Sequence, residues 1–316
     1  MIATTAGPDG TLTPRAPVRP ALVTLKGISK RFVKSLDVAA KIGNLLGAGV
    51  REEVVHAVDR VSLAIEPGEV VGLVGESGCG KSTLGRLAVG LLEPTAGERL
   101  WRGVRIADLP SAQARECKLR MQMIFQDPYA SLNPRMRVVD IVGEAPVVHG
   151  IVAPHQKVEY VGLQLNRVGL DPTLMRRFPH QFSGGQRARI GIARALAVRP
   201  EFLVCDESVA ALDVSIQAQV LNLFISHDLG VVQHLSDRVL VMYLGRVVES
   251  GPTLDLFAHP SHPYTQALLA SVLTPEPGLG VPDIGLGLAF PDPLNPPYSA
   301  GAPTPPTWTS STMLKL

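Results

Sequence analysis

The sequence predicts an α/β fold with a mostly parallel central sheet, an antiparallel β layer at its edge and a separate helical subdomain. Short apolar runs typical of buried parallel strands recur along the chain, at 70–74, 202–205, 223–226 and 239–243. The first run ends in a glycine-rich turn, and residues 82–89 after it have helical composition, so the three segments form half of a βαβ unit. Residues 127–199 then change to proline-containing loops and helix-like stretches, which indicates a subdomain of their own.

The N-terminal third predicts the edge layer. Residues 1–21 contain four prolines and no apolar periodicity, so we expect a flexible lead. Three short strands follow, at 21–25, 54–58 and 61–65. Residues 34–53 interrupt them with glycines and mixed charges, which predicts a peripheral loop with a short helix.

These segments give a domain organisation. The predicted core comprises residues 22–126 and 200–250, and the predicted helical subdomain comprises residues 127–199. Within this subdomain we expect helices at 156–168 and 185–198. A C-terminal helical segment covers 251–274. The last stretch, 275–316, has ten prolines and one basic residue, which predicts a largely disordered tail.

Composition narrows the classes of function. With 46% hydrophobic residues among 316, the chain can bury a large core, and its net charge of +2 gives no general attraction to nucleic acid. Three cysteines without metal-like spacing suit a reduced cytoplasmic compartment without disulfides. No stretch approaches the ~18 apolar residues that a membrane span needs, so we expect that the chain is not itself a channel.

The turn after the first core strand carries the strongest motif. Its eight residues, from Gly75 to Ser82, fit G-x-x-x-x-G-K-[ST] between a strand and a helix, as phosphate binding requires. The glycines allow backbone amides to surround a phosphate, Lys81 adds a mobile ammonium, and Ser82 is a ligand for Mg²⁺. The predicted nucleotide-binding residues are Gly75, Glu76, Ser77, Gly78, Cys79, Gly80, Lys81, Ser82 and Thr83, which predicts a P-loop NTPase with a RecA-like core.

Two acids follow the apolar strand at 202–205. A carboxylate in the place of Asp206 can hold magnesium, and Glu207 is the candidate general base for a water that attacks the γ-phosphate. The pair alone is equally typical of a solvated strand end, but the phosphate loop makes the catalytic interpretation the stronger one. Cys79 and Cys205 are interpreted as packing residues.

Like the helix after the phosphate loop, a second predicted helix begins directly at glycines, in the segment Ser183, Gly184, Gly185 and Gln186. Such a start is suited to an anion, although an N-capped surface helix has the same signal. One ATP is already expected at the first loop. The simplest arrangement is therefore that this helix start contacts the ATP bound to a second chain, which is identical or related.

These motifs, in this order, resemble the ATP-binding cassette (ABC) family over residues 22–270. The resemblance implies that Ser183–Gln186 is the signature motif, that Gln126 senses Mg²⁺ and couples to a membrane subunit, and that His227 contacts the γ-phosphate. Phe32 falls where an aromatic ring stacks on adenine in the family. Without the family, Gln126 and His227 are ordinary loop or strand-end residues. The magnesium ligands are then Ser82, Gln126 and Asp206, and the catalytic residues are Lys81, Glu207 and His227.

Longer stretches are similar to the ATPase subunits of oligopeptide and dipeptide importers. They are MQMIFQDPYASLNPRM, RFPHQFSGGQRARIGIARALA, ALDVSIQAQVLNL and HPYTQALL, at 121–136, 177–197, 211–223 and 262–269. The resemblance implies an ATPase at the inner face of the membrane, paired with a second ATPase that is identical or a paralogue, with two permeases and, indirectly, with an extracytoplasmic solute-binding protein. Peptide is inferred from the family, whose relatives also serve nickel, opines or sugars.

The connection between the two acids and His227 departs from the family. It lacks roughly a dozen residues that relatives carry, and a parallel crossover needs about a dozen residues or more. A displaced His227 and reduced hydrolysis are therefore expected, and the alternative function is a regulatory or assembly subunit that binds ATP with little turnover. Ser208 replaces the usual proline, Ala210 a common serine, and Asp213 keeps the family's aspartate. The tail lacks the cysteines that relatives carry, so no iron–sulfur or zinc site is predicted.

A third alternative is a soluble ABC ATPase of DNA repair or translation. The importer-like stretches and the balanced charge count against it. The prediction is therefore an ATP-hydrolysing importer subunit that uses ATP and Mg²⁺ and has no nucleic-acid partner.

Overall fold

A computed structural model of the chain describes residues 5–6, 12–13, 20–34, 53–127, 131–207 and 222–271. Several sequence predictions fall outside these ranges. They concern most of the N-terminal lead, the insertion at 34–53, the shortened connection with Ser208, Ala210 and Asp213, and the tail.

The central sheet has six strands in the order β12-β11-β5-β10-β9-β8. All neighbouring pairs are parallel except β11 and β12. The strands are β5 (Val71–Val74), β8 (Met121–Ile124), β9 (Phe202–Asp206), β10 (Leu223–Ile225), β11 (Arg238–Tyr243) and β12 (Arg246–Pro252). The sheet confirms the predicted α/β class and brings the ends of β5, β9 and β10 to one edge.

The edge layer is an antiparallel sheet in the order β4-β3-β6-β7. Its strands are β3 (Val23–Lys34), β4 (Glu53–Ile65), β6 (Ala96–Trp101) and β7 (Val104–Arg105). The strands predicted at 54–58 and 61–65 are one continuous strand, because the left-handed Arg60 (φ 50°) shifts the register without ending the ladder. In the lead, β1 (Thr5–Ala6) pairs with β2 (Leu12–Thr13).

The described residues form eight α-helices, of which the last two follow the final strand. They are α1 (Lys81–Val89), α2 (Ser111–Arg120), α3 (Val138–Val148), α4 (Lys157–Arg167), α5 (Gly184–Ala197), α6 (Leu229–Leu235), α7 (Thr253–Ala258) and α8 (Pro263–Ala270). Short 3₁₀ turns occur at Ile106–Asp108, Pro154–Gln156, Pro172–Arg176 and Pro179–Gln181. None of the helices in these described segments is long and apolar enough to cross a membrane.

Helices α3, α4 and α5 pack together in the stretch predicted as the helical subdomain. The sequence predicted α4 and α5 but not α3, which carries Pro146 in its interior. Proline removes one backbone donor and usually ends a helix, so the signal for α3 resembled that of a loop. Buried residues of this subdomain belong to the same apolar core as one face of the sheet.

The core lies on both faces of the central sheet. Phe224 faces the cluster shared with the helical subdomain, and Phe202 faces a second cluster shared with α1 and the edge layer. Neither side chain is more than 1% exposed. The sheet edge that carries the predicted site is thus fixed by packing on both sides.

Candidate functional site

The phosphate loop is the turn from Gly75 to Gly80 between β5 and α1. Gly75 has φ 145°, and a Cβ there would lie 2.1 Å from the carbonyl oxygen of Met242. Gly80 has φ 108°, and its Cβ would lie 2.1 Å from the carbonyl oxygen of Ala57. Both positions combine a left-handed backbone with close backbone approach, so only glycine fits.

We expect Gly80→Ala to lower the free energy of unfolding by at least about 3 kcal/mol, because it adds a backbone clash to left-handed strain. Gly78→Ala is the matched control: it has φ 82° but no heavy atom within 4 Å of a new Cβ, so only the strain of about 1–2 kcal/mol applies. Urea unfolding of both variants measures the difference. Equal losses would show that the contact with Ala57 is unimportant.

Lys81 is the first residue of α1 and is only 6% exposed. Its Nζ donates to the carbonyl oxygens of Gly75 and Glu76, both at 2.7 Å. A buried ammonium needs such partners, and here they are backbone oxygens of the loop itself. The cation is therefore held across the loop, where the amides and the start of α1 also favour an anion.

Asp206 and Ser82 face each other beside the loop. The Ser82 hydroxyl donates to Asp206 Oδ1 at 3.0 Å, and Asp206 is 3% exposed at the end of β9. Burial raises the pKa of Asp206, and the nearby Glu207 adds to the rise, whereas the Ser82 hydrogen bond lowers it. The two oxygens form a hard donor set of the kind that Mg²⁺ prefers.

Glu207 contacts two other predicted site residues through its carboxylate. Gln126 Nε2 donates to Glu207 Oε2, and His227 Nδ1 lies 3.4 Å from Glu207 Oε1. The residue has a left-handed backbone at φ 53°, uncommon for a side chain of this type. Its amide donates to Ile225 of β10 at 2.9 Å, which fixes the turn after the strand.

His227 is close to Glu207 in the structure, although the sequence predicts a shortened connection between them. Parallel ladders join β9 to β10 and β10 to β5 in continuous register. The buried Asn222 holds the start of β10 through two hydrogen bonds to Leu203. Its backbone amide donates to the carbonyl oxygen of Leu203 at 3.2 Å, and its side-chain Oδ1 accepts from the backbone amide of Leu203 at 3.1 Å. His227 therefore lies beside Glu207, although it is not among the wall residues of the cavity at the phosphate loop, and the connecting residues 208–221 lie outside the described ranges.

One cavity is lined by several of the predicted site residues. Its walls include residues 77–83 of the loop and α1, together with Gln126 and Glu207. Sequence reasoning missed five wall residues, namely Val55, His56, Ala57, Leu244 and Gly245. They come from β4 and from the β11–β12 turn, and Gly245 N donates to Cys79 O at 2.9 Å. The sequence indicates a turn at Gly245 but not its approach to the loop.

Phe32 is near the cavity but not among its wall residues. It is directly opposite Val55 in the antiparallel β3–β4 ladder, and such partners project from the same face. Val55 lines the cavity, so Phe32 belongs to that face. Phe32 is 42% exposed, with Lys30 Nζ 5.5 Å from its ring centre.

The predicted signature motif opens α5. Ser183 caps the helix by accepting from the Gln186 amide at 3.3 Å, while Gln186 Oε1 accepts from the Ser183 amide at 3.0 Å. No residue of this motif lines the cavity at the phosphate loop in the described part of the chain. Within one protomer the structure therefore does not bring the two glycine-opened helix starts together.

All three cysteines are buried, and none of them forms a disulfide. Burial raises the pKa of Cys79, although Lys81 opposes the rise, and it raises the pKa of Cys117 to about 11. Burial of Cys79 and Cys205 is compatible with the prediction that both are packing residues.

Two family models and several relatives of known annotation match this chain. The family model described as "ABC transporter" matches residues 58–210, and the model described as "Oligopeptide/dipeptide transporter, C-terminal region" matches residues 248–293. The oligopeptide transport ATP-binding protein AppF of Bacillus subtilis is 49% identical over 259 residues, covering 77% of this chain and 79% of AppF. A Brucella ovis protein named for peptide import and ATP binding is 48% identical over 260 residues, covering 78% and 82% of the two chains.

Solved structures share the fold. The dimeric ATP-binding cassette MJ0796, bound to ADP and Pi in a post-hydrolysis state, gives a TM-score of 0.60 at 24% identity over 73% of this chain and 98% of that one. The cbiO1 protein of Clostridium perfringens, described as part of an ABC transporter complex, gives 0.57 at 25% identity over 76% and 92% of the two chains.

Proposed function

The chain belongs to the ABC transporter family of ATP-binding subunits, and we propose that it hydrolyses ATP at the phosphate-loop cavity to energise a peptide importer. The relatives are named for peptide or oligopeptide import, and the C-terminal model is specific to that group. ATP is the nucleotide of the family, and the chain is an ATPase subunit.

One observation carries the site assignment. Lys81, Ser82, Gln126 and Glu207 line one cavity at this edge of the sheet, and Asp206 and His227 lie beside it through their contacts with Ser82 and Glu207. These residues come from separate parts of the sequence. Their convergence supplies a cation for the phosphates, oxygen ligands for a metal and a carboxylate for water in one place.

The geometry supports a simple division of labour. The loop amides and the Lys81 ammonium bind the β- and γ-phosphates and neutralise charge that develops during transfer. Glu207 holds a water molecule in line and accepts its proton as the oxygen attacks phosphorus, and ADP leaves. His227 and Gln126 orient the Glu207 carboxylate through contacts to its two oxygens.

The residues present fit a magnesium ion. Ser82 and Asp206 offer oxygen donors 3.0 Å apart, and Gln126, which lines a neighbouring cavity together with these two residues, adds an amide oxygen. The raised pKa of Asp206 reflects burial, which a divalent cation would offset. When bound, the ion would neutralise phosphate charge and orient the β- and γ-phosphate oxygens.

A second ATPase completes the proposed site. The segment Ser183–Gln186 offers backbone amides and a hydroxyl at a helix start, and none of these four residues lines the cavity at its own phosphate loop. A second protomer, identical or a paralogue, would bring its own Ser183 and Gly185 equivalents to the nucleotide. Two permease subunits would hold this dimer at the inner face of the membrane, with a solute-binding protein outside.

The hydrolysis-impaired alternative rests on the shortened connection. The absence of about a dozen crossover residues favours it, whereas the contact between His227 and Glu207 favours a competent site. The measurement that separates the two is phosphate release by the wild-type subunit pair.

The transport function is tested in proteoliposomes that contain the permease pair and both ATPase subunits, with the binding protein and peptide inside the vesicles, on the extracytoplasmic side. We expect ATP supplied outside the vesicles, where the ATPase subunits lie, to drive peptide efflux that stops when ATP is replaced by ADP, because the fold couples transport to hydrolysis. Phosphate release with no peptide transport by the assembled complex would contradict the proposed substrate class. Failure to assemble with a permease would contradict the transporter role.

A further inference from the structure

The C-terminal helix α8 contacts the phosphate loop directly. The backbone amide of Glu76 donates to the hydroxyl of Tyr264 at 2.9 Å, although the two residues are 188 positions apart. Tyr264 lies in the first turn of α8, in the region matched by the oligopeptide/dipeptide C-terminal model. None of the residues assigned above to catalysis or to nucleotide binding lies in this region.

The hydrogen bond acts on one peptide unit of the loop. The carbonyl of Gly75 and the amide of Glu76 belong to the same planar peptide. Its carbonyl accepts from Lys81 Nζ at 2.7 Å, and its amide donates to Tyr264. This peptide is thus held at both ends, by the cation that faces the phosphates and by a phenol from α8.

Tyr264 is itself held in place. It is 9% exposed, and its ring packs on Tyr243 with centroids 4.3 Å apart. Its amide donates to His262 Nδ1 at 3.1 Å, so the helix start is capped. The Glu249 carboxylate on β12 accepts from the amides of Ser261 and His262 at 2.7 and 3.0 Å, which ties α8 to the sheet.

We propose that Tyr264 is a positioning residue that fixes the first peptide of the phosphate loop and thereby raises the affinity of the site for ATP. The inference rests on the proposed function of the loop. A fixed Gly75–Glu76 peptide keeps the Gly75 carbonyl, one of the two that Lys81 uses, in one orientation, so less conformational freedom is lost when the phosphates bind. The region specific to this group of transporters is then a structural support of the nucleotide site.

The test compares two Tyr→Phe variants of the full chain. Tyr264→Phe removes only the hydroxyl that accepts from Glu76. Tyr160→Phe is the matched control, since its hydroxyl donates to Ala197 O at 2.8 Å in the helical subdomain, away from the cavity. Titration calorimetry with ATP and Mg²⁺ gives the affinity, steady-state kinetics give KM and kcat, and hydrogen exchange reports on the loop amides.

We expect Tyr264→Phe to weaken ATP affinity and to raise KM about five- to tenfold, with a smaller change in kcat, because one hydrogen bond is lost. Exchange of the Glu76 amide should speed up in this variant only. Tyr160→Phe should keep wild-type affinity and exchange in the loop.

Unchanged ATP affinity and loop exchange in Tyr264→Phe, with normal binding by the wild type, would overturn this inference alone. Equal weakening in both variants would assign the effect to global stability and would also overturn it. A wild-type chain that does not bind ATP would overturn the proposed function, and this inference with it.

Discussion

Replacing Glu207 by glutamine is expected to lower the rate of phosphate release by about 10²–10³-fold while ATP still binds. Glutamine keeps the size of the side chain but cannot accept the proton of the attacking water. The two neighbours of the carboxylate, Gln126 and His227, orient it but offer no substitute carboxylate. Phosphate release in single-turnover conditions measures the loss, and calorimetry with Mg-ATP checks that binding is kept.

Glu201→Gln is the matched control for this change. Glu201 precedes the same strand, β9, at its other end and pairs there with Arg102 and Arg120. Partly exposed ion pairs contribute little to stability, so the control should hydrolyse ATP at the wild-type rate. If Glu207→Gln releases phosphate as fast as the wild type and the wild type is slow, the binding-only alternative is correct. If both are fast, another group is the base.

Replacing Lys81 by alanine is expected to weaken ATP affinity by about 100-fold, a loss of ~3 kcal/mol. The ammonium is buried and bridges two loop carbonyls, so its loss removes the only positive side chain among the wall residues 77–83. The loop carbonyls would then face the phosphates without a compensating cation. Titration calorimetry on the variant gives the dissociation constant.

Lys118→Ala serves as the control for Lys81→Ala. Lys118 is an exposed lysine on α2, outside the cavity walls, and the same truncation there should leave ATP affinity unchanged. Unchanged affinity in Lys81→Ala would remove the basis for placing the phosphates at this loop. Equal loss in both variants would point to a non-specific charge effect.

The local parts of the site could be predicted from sequence, because each is a short segment with its own physical signal. The strand, glycine turn and helix at 71–89 are contiguous, so the phosphate loop was found from spacing alone. The same is true of the helix start at Ser183–Gln186, where the structure adds two capping hydrogen bonds between residues three apart.

The rest depends on contacts between distant segments. Ala57 and Gly245 reach the cavity only because the edge layer and the β11–β12 turn pack beside the loop. The contact of Tyr264 with Glu76 likewise follows from the position of α8 on the sheet. No periodicity in the sequence encodes these distances, whereas a helix such as α3 was missed for a local reason, the proline in its interior.

The paired hydrogen bonds between Asn222 and Leu203 have a practical consequence for engineering. They secure the beginning of β10 to its neighbour β9, so we expect the sheet to tolerate a change in length upstream. A longer segment grafted from a relative between 207 and 222 would join two anchored ends. The chain is therefore a suitable host for asking how linker length tunes an ATPase.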